Sequence, residues 1–449
     1  MVVVMTDDQE VGSLAAMPKV RRLVGREGTT FTDAVATTPE CCPSRATFLT
    51  GQYEHNHGVL SNSAPRGGYP ALDGENTLPV WLRAAGYRTA WIGRYLNEYG
   101  NESKGQDPLE VPPGWDEWRA PVEHTDFQMY GYTLNENGVL RTYGDAPRDY
   151  ATDVYARQAA RFVEDSAERH RPFFLTVAPL APHDEGVLED ADAARNPRPA
   201  PRHAGTFEDR PLPRPPAFNE AAIADKPPFV AKRDPLGADE IEELTRRHRS
   251  RLESLLAVDD MVGRLVRALR RSGELDRTIL VFTSDQGFVL GEHRLVGKKS
   301  PYEESVRVPL LIRGPGFPAG RGRAQPVANV DLAPTIAAAA AAEPGLRMDG
   351  IDLRPVAADP SFAADRQLLL EFREKRHYVA VRTSRHVLVR HEDGATELYD
   401  LRDDPHQLRN LAGRRRTAAV ERRLGRDLSQ LRSCAGRSCV RPRDVDQGA

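Results

Sequence analysis

Ile279-Leu280-Val281-Phe282-Thr283-Ser284-Asp285-Gln286-Gly287 is an apolar run that breaks off into polar residues and a glycine. A short continuous apolar run bounded in this way predicts a strand buried on both faces. Upstream of it, Leu252, Leu255, Leu256, Val262, Leu265, Val266 and Leu269 recur at three- and four-residue steps, with Gly273 as the stop, which predicts a helix. Similar runs stand at Val2 to Met5, Thr89 to Ile92, Phe173 to Val177 and Val308 to Ile312. Short strands alternating with helical patterns predict an α/β fold, a mostly parallel sheet with helices on both faces. Four of the runs end in polar residues: Val2 to Met5 leads into Thr6-Asp7-Asp8, the Thr89 run to Arg94, the Phe173 run to Pro182-His183, and the Ile279 run to Asp285-Gln286. Ligands of open parallel sheets bind beyond the carboxyl ends of the strands, so these residues are expected to share one cleft.

Further out the pattern changes. After the alanine run at Ala337 to Ala342, short strands follow at Leu368 to Phe372, Tyr378 to Val381, His386 to Val389 and Glu397 to Leu401, with Asp393-Gly394 as a hairpin turn. A helix of about twenty residues ending near Cys434 completes a small antiparallel sheet plus helix. The expected boundary lies near Asp352, giving a catalytic α/β domain at 1–351 and a C-terminal α+β subdomain at 352–449. Within the first, an insertion of about 185–240 is expected, because residues 197–235 carry ten prolines in thirty-nine positions. It reads as a surface excursion or a substrate-facing lid.

The 449 residues carry 62 Lys+Arg against 65 Asp+Glu, a net charge of -3, and are 40% hydrophobic. Near-balanced charge argues against a nucleic-acid binder acting through a broad basic surface and against an acidic disordered tail protein. Only seven of the basic residues are lysines, so the adjacent Lys298-Lys299 pair, close after the Ile279 run, stands out as a candidate anion ligand. No apolar run reaches eighteen residues, so no membrane-spanning helix is expected. The chain opens on Met1-Val2-Val3-Val4-Met5, a buried strand rather than a signal peptide. That leaves two expectations: a cytoplasmic protein, or one whose true start lies upstream.

Asp7, Asp8 and Asp285 cannot sit unpaired in one cleft, since each ionised carboxylate raises the cost of the next. A divalent cation resolves the conflict, and oxygen ligation by carboxylates and the Gln286 amide suits calcium or magnesium rather than zinc. Cys41-Cys42-Pro43-Ser44-Arg45, followed by Thr50-Gly51, places Cys41 at a helix N-terminus, where backbone amides favour an anion. Arg45, one turn on, has the reach to bind an oxyanion in a bidentate manner. From chemistry alone Cys41 is a thiolate nucleophile, a metal ligand or an inert buried thiol.

Cys41-x-Pro43-Ser44-Arg45 with Thr50-Gly51 resembles the type I sulfatase signature. The likeness runs along nearly the whole chain, through Tyr53-Glu54-His55-Asn56-His57, Gly93-Arg94-Tyr95-Leu96-Asn97-Glu98-Tyr99-Gly100, Val111-Pro112-Pro113-Gly114-Trp115 and Met348-Asp349-Gly350. Within the family it is most similar to the N-acetylglucosamine-6-sulfatase and extracellular glucosamine sulfatase branch. The resemblance implies an alkaline-phosphatase-like fold, and removal of sulfate from a sulfated sugar of the 6-O-sulfo-N-acetylglucosamine type. It also implies maturation of Cys41 to formylglycine by a separate formylglycine-generating enzyme. By the same resemblance Asp7, Asp8, Asp285, Gln286 and residue 41 hold Ca2+ (or Mg2+), and Arg45 assists the nucleophile. His183 and Lys298 contact sulfate and protonate the leaving alcohol. Arg94 and Asn97 are the expected substrate contacts, with His57 as a further candidate, although for His55 and His57 bracing the loop is the preferred reading.

Three positions depart from the family pattern. Arg94 stands where many members have lysine, Gln286 where many have asparagine, and Leu96 where arylsulfatases have a histidine, for which Asn97 is the candidate substitute. A phosphonate or phosphate ester hydrolase of the same superfamily is the alternative activity. An inactive carbohydrate-binding homologue is the outcome if Cys41 is never oxidised. Cys434 and Cys439, with no further metal ligands nearby, are expected to form a short-loop disulfide. Such a bond implies an oxidising compartment, hence a secreted or cell-envelope protein.

Overall fold

The computed structural model describes residues 1–186, 196–374 and 376–440. Ten strands form the main sheet: β1 (Val2–Thr6), β2 (Gly28–Phe31), β3 (Arg88–Gly93), β4 (Glu117–Pro121), β5 (Thr133–Glu136), β6 (Leu140–Thr142), β7 (Phe173–Ala178), β8 (Leu280–Ser284), β9 (Leu310–Arg313) and β10 (Arg321–Arg323). Their order is β10-β2-β9-β8-β1-β7-β3-β4-β5-β6. The central strands β8, β1, β7, β3 and β4 are parallel. The innermost of them, β1, β7 and β8, are buried along their whole length and mostly apolar because both faces are covered. Val2 and Val4 of β1 face a core with α2 (Ala151–Glu168) and α3 (Ala238–Arg271). Val3 and Met5 face the opposite core, with Phe48 and Leu49 of α1 (Cys41–Thr50) and with Ile336 of α4 (Leu332–Ala340). The fifth apolar run differs from its parallel partners: β9 is antiparallel to both β8 and β2. Only the short Glu303–Val306 helix precedes it after the site loop, without a full crossover to reverse the chain again.

The second sheet comprises β11 (Leu368–Phe372), β12 (Tyr378–Arg382), β13 (His386–His391) and β14 (Thr396–Asp400), antiparallel in sequential order. It is backed by α5 (Ala418–Leu431), shorter than the twenty residues expected. Its core is continuous with Val35, Tyr53, Tyr302, Val306 and Val330 of the preceding part. Arg382 crosses the junction to Glu303 at 2.8 Å and Asp33 at 2.5 Å. Cys434 and Cys439 form a disulfide.

Residues 187–195 of the expected insertion lie outside the described residues. From 196 onward the proline-rich stretch is irregular but anchored. Leu212 packs with Leu244, Phe288 and Leu290, and the buried Lys226 donates to the Gln407 carbonyl at 2.5 Å.

Candidate active site at the strand ends

β1 and β8 lie side by side in parallel, so their ends deliver Asp7-Asp8 and Asp285-Gln286 to one place. Helix α1 brings in Cys41 as its first residue, with all ten helix residues buried. Gly51 ends the helix at φ +68, and a Cβ there would meet Met348 Cγ at 2.9 Å, so this stop requires glycine. One ligand atom from each of Asp7, Asp8, Cys41 and His183 lies within 4.8 Å of the others.

The charges are arranged in a ring. Asp7 Oδ2 accepts from Arg45 Nη2 at 2.8 Å and Arg94 Nη1 at 2.5 Å. Burial opposes ionisation of Asp7, yet Arg94 and Arg45 overcome it and hold its carboxyl well below the usual range. Asp8 is likewise driven down against its burial, by Lys298 at 2.7 Å and His183 at 3.5 Å. Asp285 goes the other way: burial and then Asp7 push it up to about 7. Its Oδ1 accepts from the Asp8 and Gln286 amides, its Oδ2 from Arg45 Nε at 3.0 Å. Three buried carboxylates with one held near neutrality is the conflict that a divalent cation would relieve.

A second observation fits a cation. Gln286 Nε2 rests on Asp8 Oδ1 at 2.5 Å and Cys41 Sγ at 3.3 Å, while Gln286 Oε1 is buried without a partner among the described residues. Turning the amide over presents that oxygen to the space between Asp8 and residue 41, as a hard cation requires.

Lys298 Nζ lies 2.9 Å from Cys41 Sγ, whereas Lys299 turns away to Glu40 at 2.8 Å and Glu374 at 2.6 Å. Burial, and then Asp8, act on Lys298 in opposite senses, and the carboxylate with Cys41 prevails, so its ammonium is held charged. The Cys41 thiol itself is pushed up by burial despite Lys298, which leaves it protonated and a poor nucleophile as it stands. His183 gives Nδ1–H to its neighbour's carbonyl, Asp184 O, at 2.7 Å, leaving Nε2 toward Asp8. Burial lowers its pKa.

The hydrogen bonds bear on three of these expectations. Arg45 gives Nη1 to the Arg94 and Tyr95 carbonyls in addition to its carboxylate bonds, and is 0% exposed. Its donors are occupied in bracing Asp7 and Asp285, so it does not present a free bidentate face to an oxyanion. His57 has its Nε2 on Thr47 Oγ1 at 3.1 Å and its Nδ1 on the Val59 amide at 3.1 Å, and burial lowers its pKa to about 3. It braces α1 as a neutral ring. His55 is tied to Glu371 at 2.7 Å and to the Cys434 carbonyl at 2.8 Å, also as a brace. Asn97 lies beside the cluster, accepting from Arg94 Nη2 at 2.6 Å and from Cys42 Sγ at 3.4 Å.

Arg251 escaped the sequence reading. Buried on α3, it donates to the Asp8 carbonyl, to Pro182 O at 3.1 Å and to Glu10 at 2.6 Å, and lies 4.2 Å from the Phe288 ring centroid. It holds the two loops that carry Asp8 and His183, Asp8 being in the left-handed region at φ 64. Its signal was present: Leu244, His248, Arg251 and Leu255 follow the helical step onto one buried face. A cavity of about 610 Å3 is lined by Glu10, His248, Phe288 and Glu304 and by none of Asp7, Asp8 and Cys41.

Residues 1–342 match the family model described as sulfatase. The chain belongs to the sulfatase family. Residues 291–434 also match the model of the N-sulphoglucosamine sulphohydrolase C-terminal region. Human N-acetylglucosamine-6-sulfatase is 32% identical over 499 residues, covering 100% of this chain and 87% of the relative. A candidate extracellular sulfatase Sulf-1 homolog of Caenorhabditis elegans is 35% identical over 410 residues, or 90% of this chain; there the chain spans about half, 54%, of the relative's length. Among solved structures, BT4656 in complex with its substrate D-glucosamine-2-N,6-O-disulfate superposes with a TM-score of 0.80 at 26% identity, covering 96% of this chain and 97% of that one. The phosphonate monoester hydrolase of Agrobacterium radiobacter shares the fold, with a TM-score of 0.71 at 23% identity over 96% of this chain and 95% of that one. This sulfatase thus has the alkaline-phosphatase-like architecture expected from its sequence.

Proposed function

We propose that this sulfatase hydrolyses the sulfate ester of a 6-O-sulfated glucosamine-type sugar, with Cys41 converted to formylglycine by a separate maturation enzyme. The observation that carries the reading is Cys41 itself. It stands at a buried helix N-terminus, 2.9 Å from Lys298 and clustered with Asp7, Asp8 and His183, yet burial pushes its thiol pKa up. A protonated thiol is a weak nucleophile, and so costly an environment is better matched to an oxygen nucleophile at the same carbon. Asp7, Asp8, Asp285, Gln286 and residue 41 would hold the cation, Ca2+ by the all-oxygen donor set and Mg2+ as the alternative. When present, the hydrated aldehyde supplies the hydroxyl directed at sulfur and the cation supplies positive charge to the sulfate oxygens.

The chain's own residues do the rest. Lys298, held charged, and Arg94 present fixed positive charge to the sulfate oxygens. Arg45 keeps Asp7 and Asp285 in place. His183, its Nδ1–H engaged by the Asp184 carbonyl, turns Nε2 toward the site; burial keeps that nitrogen unprotonated, so the charged Lys298 is the group that hands a proton to the leaving sugar oxygen. The glucosamine-type substrate is supported by the relatives named for N-acetylglucosamine-6-sulfatase activity and by the glucosamine disulfate bound in the BT4656 structure. The disulfide and the extracellular naming of one relative support a place in an oxidising compartment. Among the described residues no helix is long and apolar enough to cross a membrane.

A phosphonate or phosphate ester hydrolase is the second reading, favoured by the shared fold with phosphonate monoester hydrolase. Mass spectrometry of the Cys41 peptide from the native host tests maturation, and an intact thiol would sink the formylglycine mechanism and leave a carbohydrate binder. Parallel assays on aryl sulfate, phosphate diester and 6-sulfated N-acetylglucosamine decide the substrate. Preference for the sulfated sugar is expected, and a clear preference for the phosphate ester overturns it.

A further inference from the structure

Arg94 stands where a lysine is common, and its extra donor has a counterpart. The guanidinium is 1% exposed, with Nη1 on Asp7 Oδ2 and Nη2 on Asn97 Oδ1. Its Nε has no hydrogen-bond partner among the described residues. Facing that Nε at 3.6 Å is Asp126 Oδ2, on a carboxylate only 5% exposed whose two oxygens also lack hydrogen-bond partners. A buried carboxylate left in this way is destabilising unless it acts on a charge nearby. Burial, and then Glu123, push Asp126 up to about 8, while Arg94 pulls it back.

The next residue acts on the same groups. The Phe127 ring lies 4.2 Å from the Arg94 guanidinium and 5.1 Å from the His183 ring. Phe127 O accepts from the Gly186 amide at 3.3 Å, and Glu185 accepts from the Met129 amide at 2.5 Å, so this loop is tied to the segment that follows His183. One short loop therefore bears on both Arg94 and His183.

We propose that Asp126 is a positioning residue that sets the direction of the Arg94 guanidinium through Nε, turning its remaining N–H groups toward the sulfate. A lysine has no such N–H, so the pair would be the local adjustment that accompanies arginine at position 94. This rests on the sulfate-ester reading for the identity of the anion.

The test is a double-mutant cycle on the matured full chain with Asp126→Asn, Arg94→Lys and the double variant. Two quantities are read: kcat/KM on 6-sulfated N-acetylglucosamine and the affinity for inorganic sulfate by calorimetry. Asp126→Asn is expected to lower both by about tenfold with Arg94 present and by less than about threefold in the Arg94→Lys background. Asp126→Leu removes the buried carboxyl group altogether and is read for melting temperature beside turnover: turnover lost in a protein that stays folded at the assay temperature supports positioning, and turnover lost only in proportion to the fraction unfolded overturns it. Equal losses in both backgrounds overturn the proposal. If the wild type turns over no sulfate ester but the sulfate-affinity cycle is non-additive, the sulfate-ester reading fails while the positioning role stands.

Discussion

Arg45 shows how a single side chain can be essential to a site without facing the ligand. It joins Asp7 from β1 to Asp285 from β8 at 2.8 and 3.0 Å, with no side-chain exposure at any of the three. Replacing it by Met leaves Asp285 without its ion-pair partner and Asp7 with Arg94 alone, and is expected to lower stability by about 3–5 kcal/mol. Urea denaturation checks this, and added Ca2+ should recover part of the loss. The carboxylates and Gln286 were legible because each follows an apolar run whose end had to open on a cleft. Arg251 was hidden because α3 carries many arginines, and only its place on the Leu244, His248, Leu255 face sets it apart. Asp126 and Phe127 lie in a loop without periodicity, so nothing local marks them; tertiary folding alone brings them to Arg94.

At the scale of elements, the junction between the two sheets depends on charge buried beside an apolar core. Arg382 of β12 is 3% exposed and reaches Glu303 and Asp33. Burial raises the cost of ionising Glu303, but Arg382 outweighs it and holds Glu303 below its ordinary 4.5. A carboxylate with a depressed folded pKa stabilises fully above its unfolded value, and that share is lost as pH falls from 4.5 through the folded value. Unfolding free energies from urea denaturation between pH 7 and 3 should therefore separate wild type from Arg382→Met most at neutral pH, by about 3–5 kcal/mol, and least at the acid end. A constant gap would mean that the ion pair does not hold the junction. The elements themselves were largely readable: the apolar runs are strands, the heptad-like leucines form α3, and Asp393-Gly394 lies in the turn between β13 and β14. Strand direction was not, because an apolar run buried on both faces is the same in either orientation, and β9 is antiparallel. The proline-rich stretch also differs from a loose excursion, since Leu212, Ile223 and Lys226 bury it against α3 and the C-terminal sheet.

For the molecule as a whole, near-neutral net charge conceals strong separation. Acidic strand ends meet Arg45, Arg94, His183 and Lys298 in one cluster, which stores like-charge repulsion that a cation would discharge. Chelation by EGTA or EDTA is expected to abolish turnover and lower the melting temperature, and Ca2+ at a hundred times its Kd should return about 2.7 kcal/mol of stability. A melting temperature indifferent to Ca2+ and Mg2+ would remove the cation from the site. The family fold was legible because its signature residues sit where catalysis constrains them. The distribution of roles among them was not, since it depends on which donors are already engaged, as with Arg45 and His57. The most direct test is sulfate release from 6-O-sulfated N-acetylglucosamine by protein produced together with a formylglycine-generating enzyme, compared with its Cys41→Ala variant. Steady release that falls at least about a thousandfold in a folded Cys41→Ala protein is expected; release that survives the substitution would remove residue 41 from the chemistry.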